Sequence, residues 1–302
     1  MVLIWAAPKL SLPFLIKISL KYGRNVFQHL KNDYQALLNV FKELTLEADN
    51  ELGYKGKVGV GIPGIVNAKE GTVFTTNVPA AKYKPMVHDL SHILNRPVKV
   101  ENDANCFALS EAWDPEFRHY PSVLGLILGT GVGGGFVIDG KVLSGKNGIA
   151  GEIGHMNLNV DADNVIGETM PKKLFVVVAK KPVLKPIYQA VVLNVCIKPS
   201  MMRHKERLIL LSNIMRAIKK TQEHVDRYMK VLAIYLSNIL TVLDPHLIVI
   251  GGGLSQFNAL YELLPEYLSH CVYGNAQIPL IEKARHGDAG GARGAACLNL
   301  LD

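Results

Sequence analysis

Long apolar runs are missing from this chain: no stretch reaches roughly 18 uninterrupted apolar residues, the least that crosses a bilayer as a helix, so a membrane span is not expected. Cysteine is scarce. Cys106, Cys196, Cys271 and Cys297 are scattered without a Cys-x-x-Cys pair, so neither a disulfide framework nor a sequence-local zinc site is indicated, and a reducing cytoplasm is the plain reading. A leader is not expected either, because Lys9 and Lys17 interrupt the apolar residues 1–20 and no basic region precedes them. Acidic residues are absent from residues 1–32, which carry five Lys/Arg, and residues 171–220 carry twelve Lys/Arg against the single acid Glu206. These segments supply the whole of the net charge of +7, since the rest of the chain is acidic. Neither has the aromatic platforms or helical pattern of a nucleic-acid stripe, so neither nucleic acid nor membrane is an expected partner.

What is present is a 302-residue chain, 49% hydrophobic and 20% charged, a composition that suits one large core or two lobes. Residues 32–50 place Leu37, Leu38, Val40, Phe41, Leu44 and Leu46 at helical spacing. A short β-branched run then ends in Gly61-Ile62-Pro63-Gly64, the pattern of a buried strand running into a tight loop. Residues 98–101 predict a second strand ending in Asn102-Asp103, with a helix over 105–112. A third strand, 122–128, enters Gly129-Thr130-Gly131-Val132-Gly133-Gly134-Gly135, and Asp139-Gly140 marks a hairpin. Residues 225–243 predict an amphipathic helix, 247–250 a strand entering Gly251-Gly252-Gly253, and 289–300 a closing helix. Strands alternating with helices, with glycines at the strand ends, indicate the α/β class. Residues 161–220 are different: their Lys-Pro pairs break every period, and local signals there agree on no element.

Glu101-Asn102-Asp103-Ala104-Asn105, the glycine run from Gly129, Gly151-Glu152-Ile153-Gly154-His155 and Ile250-Gly251-Gly252-Gly253 follow one another in the order and spacing of ROK kinases. Over residues 32–165 and 221–302 the chain resembles that family. Residues 105–113, 125–135 and 284–291 resemble its N-acetylglucosamine kinases in particular. The resemblance implies an actin-like ATPase (ribonuclease H-like) fold, with two lobes around a cleft. The smaller would hold residues 1–118 and 287–302, the larger 119–286. It also implies ATP-dependent phosphorylation of N-acetylglucosamine to its 6-phosphate, with Mg²⁺, in a cytoplasmic homodimer.

By the same resemblance Asp103 is the catalytic base, Asn102 holds ring hydroxyls, Glu152 and His155 are sugar ligands, and Gly64 lies near the sugar. Gly129, Thr130, Gly131, Gly133 and Gly134 would approach phosphate oxygens, and Gly251, Gly252 and Gly253 would lie under adenosine. Each has an ordinary alternative: an Asx cap on the following helix for Asp103, a glycine-rich hairpin for residues 129–135, and a tight turn for 251–253. Other readings are a non-catalytic sugar-binding relative or pseudokinase, and a hexokinase for glucose, mannose or fructose.

Two family signatures are missing, an opening Asp-x-Gly-Gly-Thr phosphate hairpin and a Cys-x-Cys-Gly-x-x-x-Cys cluster that binds zinc together with the residue matching His155. Both absences fall in the basic segments. Residues 1–10 can be encoded ATG GTT TTG ATA TGG GCG GCA CCA AAA TTG, which from the third base reads Gly-Phe-Asp-Met-Gly-Gly-Thr-Lys-Ile. In the same phase, permissible codons for residues 175–193 read Cys-Gly-Cys-Gly-Lys-Lys-Ala-Cys followed by Phe-Glu-Thr-Tyr-Leu-Ser-Gly-Arg-Gly-Phe. Frameshifts near residues 28–32, 164–170 and 217–221 are therefore expected, and the chain as written is expected to hold no zinc.

Overall fold

The computed structural model describes residues 3–5, 32–129, 131–157 and 204–300. The expectations for residues 6–31 and 158–203, for Cys196 and for Thr130 lie outside the described residues.

Strand β1 (Leu3–Trp5) pairs antiparallel with β2 (Val58–Ile62), and β2 pairs parallel with β5 (Val98–Asn102). Main-chain pairing does not read side-chain identity, so an edge strand forms at residues 3–5 whatever the reading frame. Helix α1 (Tyr34–Leu52) packs Leu37, Leu38, Phe41 and Leu44 against this sheet, capped by Asp33 through the Ala36 N–H at 2.9 Å and closed by left-handed Gly53. Its buried Asp49 forms an ion pair with Arg96, both side chains 10% exposed, and Arg96 also donates to Gly56 O at 2.8 Å. A ribbon of β3 (Ile65–Val66) and β4 (Val73–Phe74) and helix α2 (Met86–Leu94) complete this part.

Helix α3 (Asp103–Ala112) leads from β5 to a second sheet of order β10-β9-β6-β7-β8. Its strands are β6 (Ser122–Leu128), β7 (Val132–Ile138), β8 (Lys141–Val142), β9 (Leu247–Gly251) and β10 (Leu280–Lys283). Asp139 and Gly140, at φ 49° and 74°, form the two-residue turn between β7 and β8 that the sequence predicts. Helices α4 (His204–Leu243) and α5 (Ala259–Ser269) cover the sheet through Met229, Leu232, Tyr235, Leu236, Leu260 and Leu264. Helix α4 starts far upstream of residue 225, where the sequence pattern places it. No glycine or proline lies between Pro199 and Pro245, so nothing in the backbone stops the helix from propagating toward the N-terminus.

Helix α6 (Gly290–Cys297) returns to the first sheet and crosses α3. A Cβ on Gly294 would lie 2.8 Å from Cys106 Cα, and one on Gly59 would lie 2.7 Å from the Ala295 carbonyl carbon. The α3–α6 pair thus joins the two sheets, with Phe107, Ala108, Val123, Val249 and Ala295 in its core. Glu111 and Arg293 are buried in this joint. Glu111 accepts from the Arg285 and His286 N–H groups at 2.8 and 3.2 Å, and Arg293 donates to Trp113 O at 3.0 Å. Among the described residues no helix is long and apolar enough to cross a membrane.

Candidate active site

The β5–α3 corner presents adjacent polar side chains with different uses. Asn102 is the helix cap: its Oδ1 accepts from the N–H groups of Ala104 and Asn105 at 2.8 and 3.1 Å, and its Nδ2 donates to Gly64 O at 2.8 Å. Asp103 is the first residue of the helix and, among the described residues, accepts from Ala104 N–H at 3.0 Å. Its carboxyl group is therefore not consumed as the principal cap. Burial pushes its pKa above the usual carboxylate value, a rise only partly offset by the Ala104 hydrogen bond. Gly64 holds φ 140°, and a Cβ there would lie 2.9 Å from Thr75 Cβ and closer still to the Phe74 carbonyl. This close fit fixes the loop whose carbonyl receives Asn102.

Residues 143–157 fold over the same corner. Glu152 and His155 face each other at 3.7 Å across one short 3-10 turn, with the His155 side chain 76% exposed. The glycines of β7 explain how this loop comes so close. A Cβ on Gly134 would meet Ile153 Cδ1 at 2.5 Å on one face of the strand, whereas on the other face Gly135 would meet Ala104 O at 2.7 Å and Gly133 would meet Ala104 Cβ at 3.5 Å. The alternation of a strand thus uses Gly135 to admit α3, and Gly134 to admit the 151–154 turn. Packing requires the missing Cβ at Gly134, whereas a Cβ at Gly133 would make only ordinary contact.

The carboxyl ends of parallel β6 and β9 form a separate crevice, at Ile127 and Gly251 in register. Gly129 donates to Gly131 O at 2.9 Å in the β6–β7 turn, and a Cβ on Gly129 would have only Gly253 N for company, at 3.8 Å. Gly253 has nothing within 4 Å of its missing Cβ. Gly252 is forced by the backbone, at φ 78° with Leu128 O 2.5 Å from a would-be Cβ, and Gly251 by Phe107, at 2.6 Å. Among the described residues, main chain is therefore left uncovered at Gly129 and Gly253. Ser255, which donates to Gly252 O at 2.7 Å, and Tyr261, which donates to Ser255 O at 2.9 Å, brace its floor.

No group of three or more His, Cys, Asp or Glu is gathered for a metal ion among the described residues. Cys106 and Cys297 are buried, and burial pushes both thiols up. Sequence reasoning assigned no role to Glu101 or Ser144, which lie 43 positions apart and are joined by a 2.7 Å hydrogen bond.

The ROK family profile matches residues 22–300. The N-acetyl-D-glucosamine kinase of Yersinia enterocolitica is 48% identical over 283 residues, covering 89% of each chain, and that of Pectobacterium atrosepticum is 46% identical over 281 residues, covering 90% of this chain and 89% of its own. Among solved structures, the ROK hexokinase from Thermus thermophilus superposes with a TM-score of 0.63 at 26% identity, over 92% of this chain and 87% of its own. The two-sheet α/β architecture is that of the actin-like ATPase fold. A profile spanning both sheets and relatives at this identity settle the family: the chain belongs to the ROK family.

Proposed function

We propose that this chain is built as an ATP-dependent N-acetylglucosamine kinase that transfers the terminal phosphoryl group of ATP to the sugar 6-hydroxyl. The observation that carries the reading is the Asn102–Asp103 corner. Asn102 absorbs the capping work of α3 and leaves the Asp103 carboxyl free to face a substrate, with a proton affinity raised by burial. A carboxylate with raised pKa is the better base for an alcohol. Asp103 takes the 6-hydroxyl proton as the oxygen attacks phosphorus. The second Asn102 Nδ2 hydrogen, Glu152 and His155 orient the ring hydroxyls, while open main chain at Gly129 and Gly253 receives the nucleotide. Mg²⁺, held through phosphate oxygens and water, would neutralise charge on the transferring group.

The identities of the Yersinia and Pectobacterium relatives support N-acetylglucosamine as the sugar. In this reading residues 1–118 with 287–302 form a smaller lobe and 119–286 a larger one, and the protein acts as a cytoplasmic homodimer. Among the described residues no three His, Cys, Asp or Glu are gathered for a metal ion. Residues 1–32 and 165–220 are read out of frame, so the polypeptide as written lacks the carboxylate and glycines of the phosphate hairpin. This favours a second reading, a sugar-binding pseudokinase, for the literal chain.

The test compares the literal chain with a frame-restored chain, using ADP release and ³¹P NMR of the product. The restored chain is expected to form the 6-phosphate from N-acetylglucosamine in preference to glucose, mannose or fructose. The literal chain should be slower by about 10²–10³, the loss typical when one transition-state contact is removed. Equal turnover by the two chains contradicts the frameshift, and preference for another hexose contradicts the substrate.

A further inference from the structure

The carboxylate of Glu101 stands at the end of β5, one residue before the candidate base turn, and three donors converge on it. Oε1 accepts from Asn102 N–H at 2.8 Å and from Asn105 Nδ2 at 3.1 Å, while Oε2 accepts from the Ser144 hydroxyl at 2.7 Å. Hydrogen bonds to an ionised acceptor are roughly twice as strong as neutral ones. Two of these donors belong to the first residues of the Asp103 corner. The third belongs to the segment that follows β8 and leads, through Ala150 N–H to Ser144 O at 3.3 Å, into Glu152 and His155.

Much of that segment lies at the surface of the described residues. Leu143, Gly145, Lys146, Asn147 and Ile149 are exposed, and close packing comes at Gly148, whose missing Cβ would lie 3.2 Å from Ile65 Cγ2. Asn105 shows that the arrangement is kept against a cost. It is 1% exposed, its Nδ2 is spent on Glu101, and its Oδ1 is buried without a hydrogen-bond partner. Reversing the amide would set its oxygen against the carboxylate, so the orphan acceptor is the consequence of holding Glu101.

We propose that Glu101 and Ser144 are positioning residues that strap the loop bearing Glu152 and His155 to the turn bearing Asp103, so that sugar ligands and base keep one fixed geometry. This rests on the sugar-site reading above. Neither residue need touch the reacting atoms, since the Glu101 oxygens are already occupied by protein donors.

The experiment uses the full chain with Ser144→Ala, Ser144→Thr and Glu101→Gln variants. Amide hydrogen exchange is followed at residues 145–155, with β6 as internal reference, and N-acetylglucosamine affinity is measured by titration calorimetry. Ser144→Ala is expected to speed loop exchange and weaken sugar binding by about tenfold each, the equivalent of one hydrogen bond to a charged acceptor. Exchange in β6 should not change, Ser144→Thr should restore both readouts, and Glu101→Gln should give a smaller loss. Unchanged loop exchange in Ser144→Ala overturns the strap. Faster exchange with unchanged affinity overturns its positioning role. Failure of the unaltered chain to bind N-acetylglucosamine would instead overturn the proposed function, and the exchange comparison would still decide the strap.

Discussion

Helix α6 offers a matched pair of substitutions whose signs differ for a reason visible only in three dimensions. Alanine is a better helix former than glycine by about 1 kcal/mol, so propensity alone predicts that Gly291→Ala and Gly294→Ala both stabilise. At Gly291 a Cβ meets nothing within 4 Å among the described residues, and the propensity gain should survive, raising the melting temperature by up to about 2–4 °C. At Gly294 the new atom would lie 2.8 Å from Cys106 Cα and closer still to its carbonyl, where ordinary contact begins at 3.4 Å. The obstacle is the backbone of α3, and it cannot swing aside as a side chain would. Overpacking of this kind costs about 3 kcal/mol, and subtracting the propensity gain leaves about 2 kcal/mol of net loss. For a chain of this size that is a fall of roughly 4–8 °C, read by circular dichroism at 222 nm. The substitution should also impair sugar binding, because α3 carries Asp103 at its first residue. A Gly294→Ala protein as stable as the parent would refute the packing of α3 on α6 and, with it, the joint between the sheets.

Asp103→Asn should raise stability at neutral pH. The folded-state pKa of Asp103 is raised by burial, so its ionised form opposes folding above the ordinary carboxylate value, and the gain should vanish in acid where both states are protonated. Melting temperatures of the pair across pH check this, and a pH-independent difference contradicts it. Asp49 has the opposite sign. The Arg96 hydrogen bond holds its pKa below the usual value, so the pair stabilises above that value and its contribution is lost as pH falls through the depressed folded-state pKa. Arg96→Met, which strands the Asp49 carboxylate at 10% exposure, should destabilise by about 3 kcal/mol at pH 7 in urea unfolding, and a loss under about 1 kcal/mol would contradict the burial argument. Gly64→Ala should weaken N-acetylglucosamine binding by moving the loop whose carbonyl receives Asn102, and unchanged affinity in calorimetry would separate that loop from the sugar site.

The corner at residues 101–105, the Asp139-Gly140 hairpin and the β9–glycine turn were all legible because each is a local pattern: a strand, a turn chemistry and a helix start within a few residues. What was not legible depends on contacts between distant residues. The capping role belongs to Asn102 and not to Asp103, a partition that only the hydrogen bonds to Ala104 and Asn105 reveal. The run Gly133-Gly134-Gly135 looks like a phosphate loop in one dimension. In three, Gly135 and Gly134 have a second role that the sequence did not show, admitting α3 on one face of β7 and the 151–154 turn on the other. Glu101 and Ser144, like Asp49 and Arg96, meet across more than forty residues, and neither member carries a signal by itself. The start of α4 was missed because proline pairs upstream suggested a break that the sequence after Pro199 does not contain.

The central claim is that Asp103 takes the proton from an N-acetylglucosamine hydroxyl. It is tested most directly by giving the frame-restored chain and its Asp103→Asn variant N-acetylglucosamine and ATP, and following sugar binding and product together. The account predicts that both bind the sugar with similar affinity, that the parent forms the 6-phosphate, and that the variant is slower by about 10²–10⁴, the span of general-base catalysis. A variant that turns over like the parent, or a parent that places phosphate on another oxygen, would contradict it.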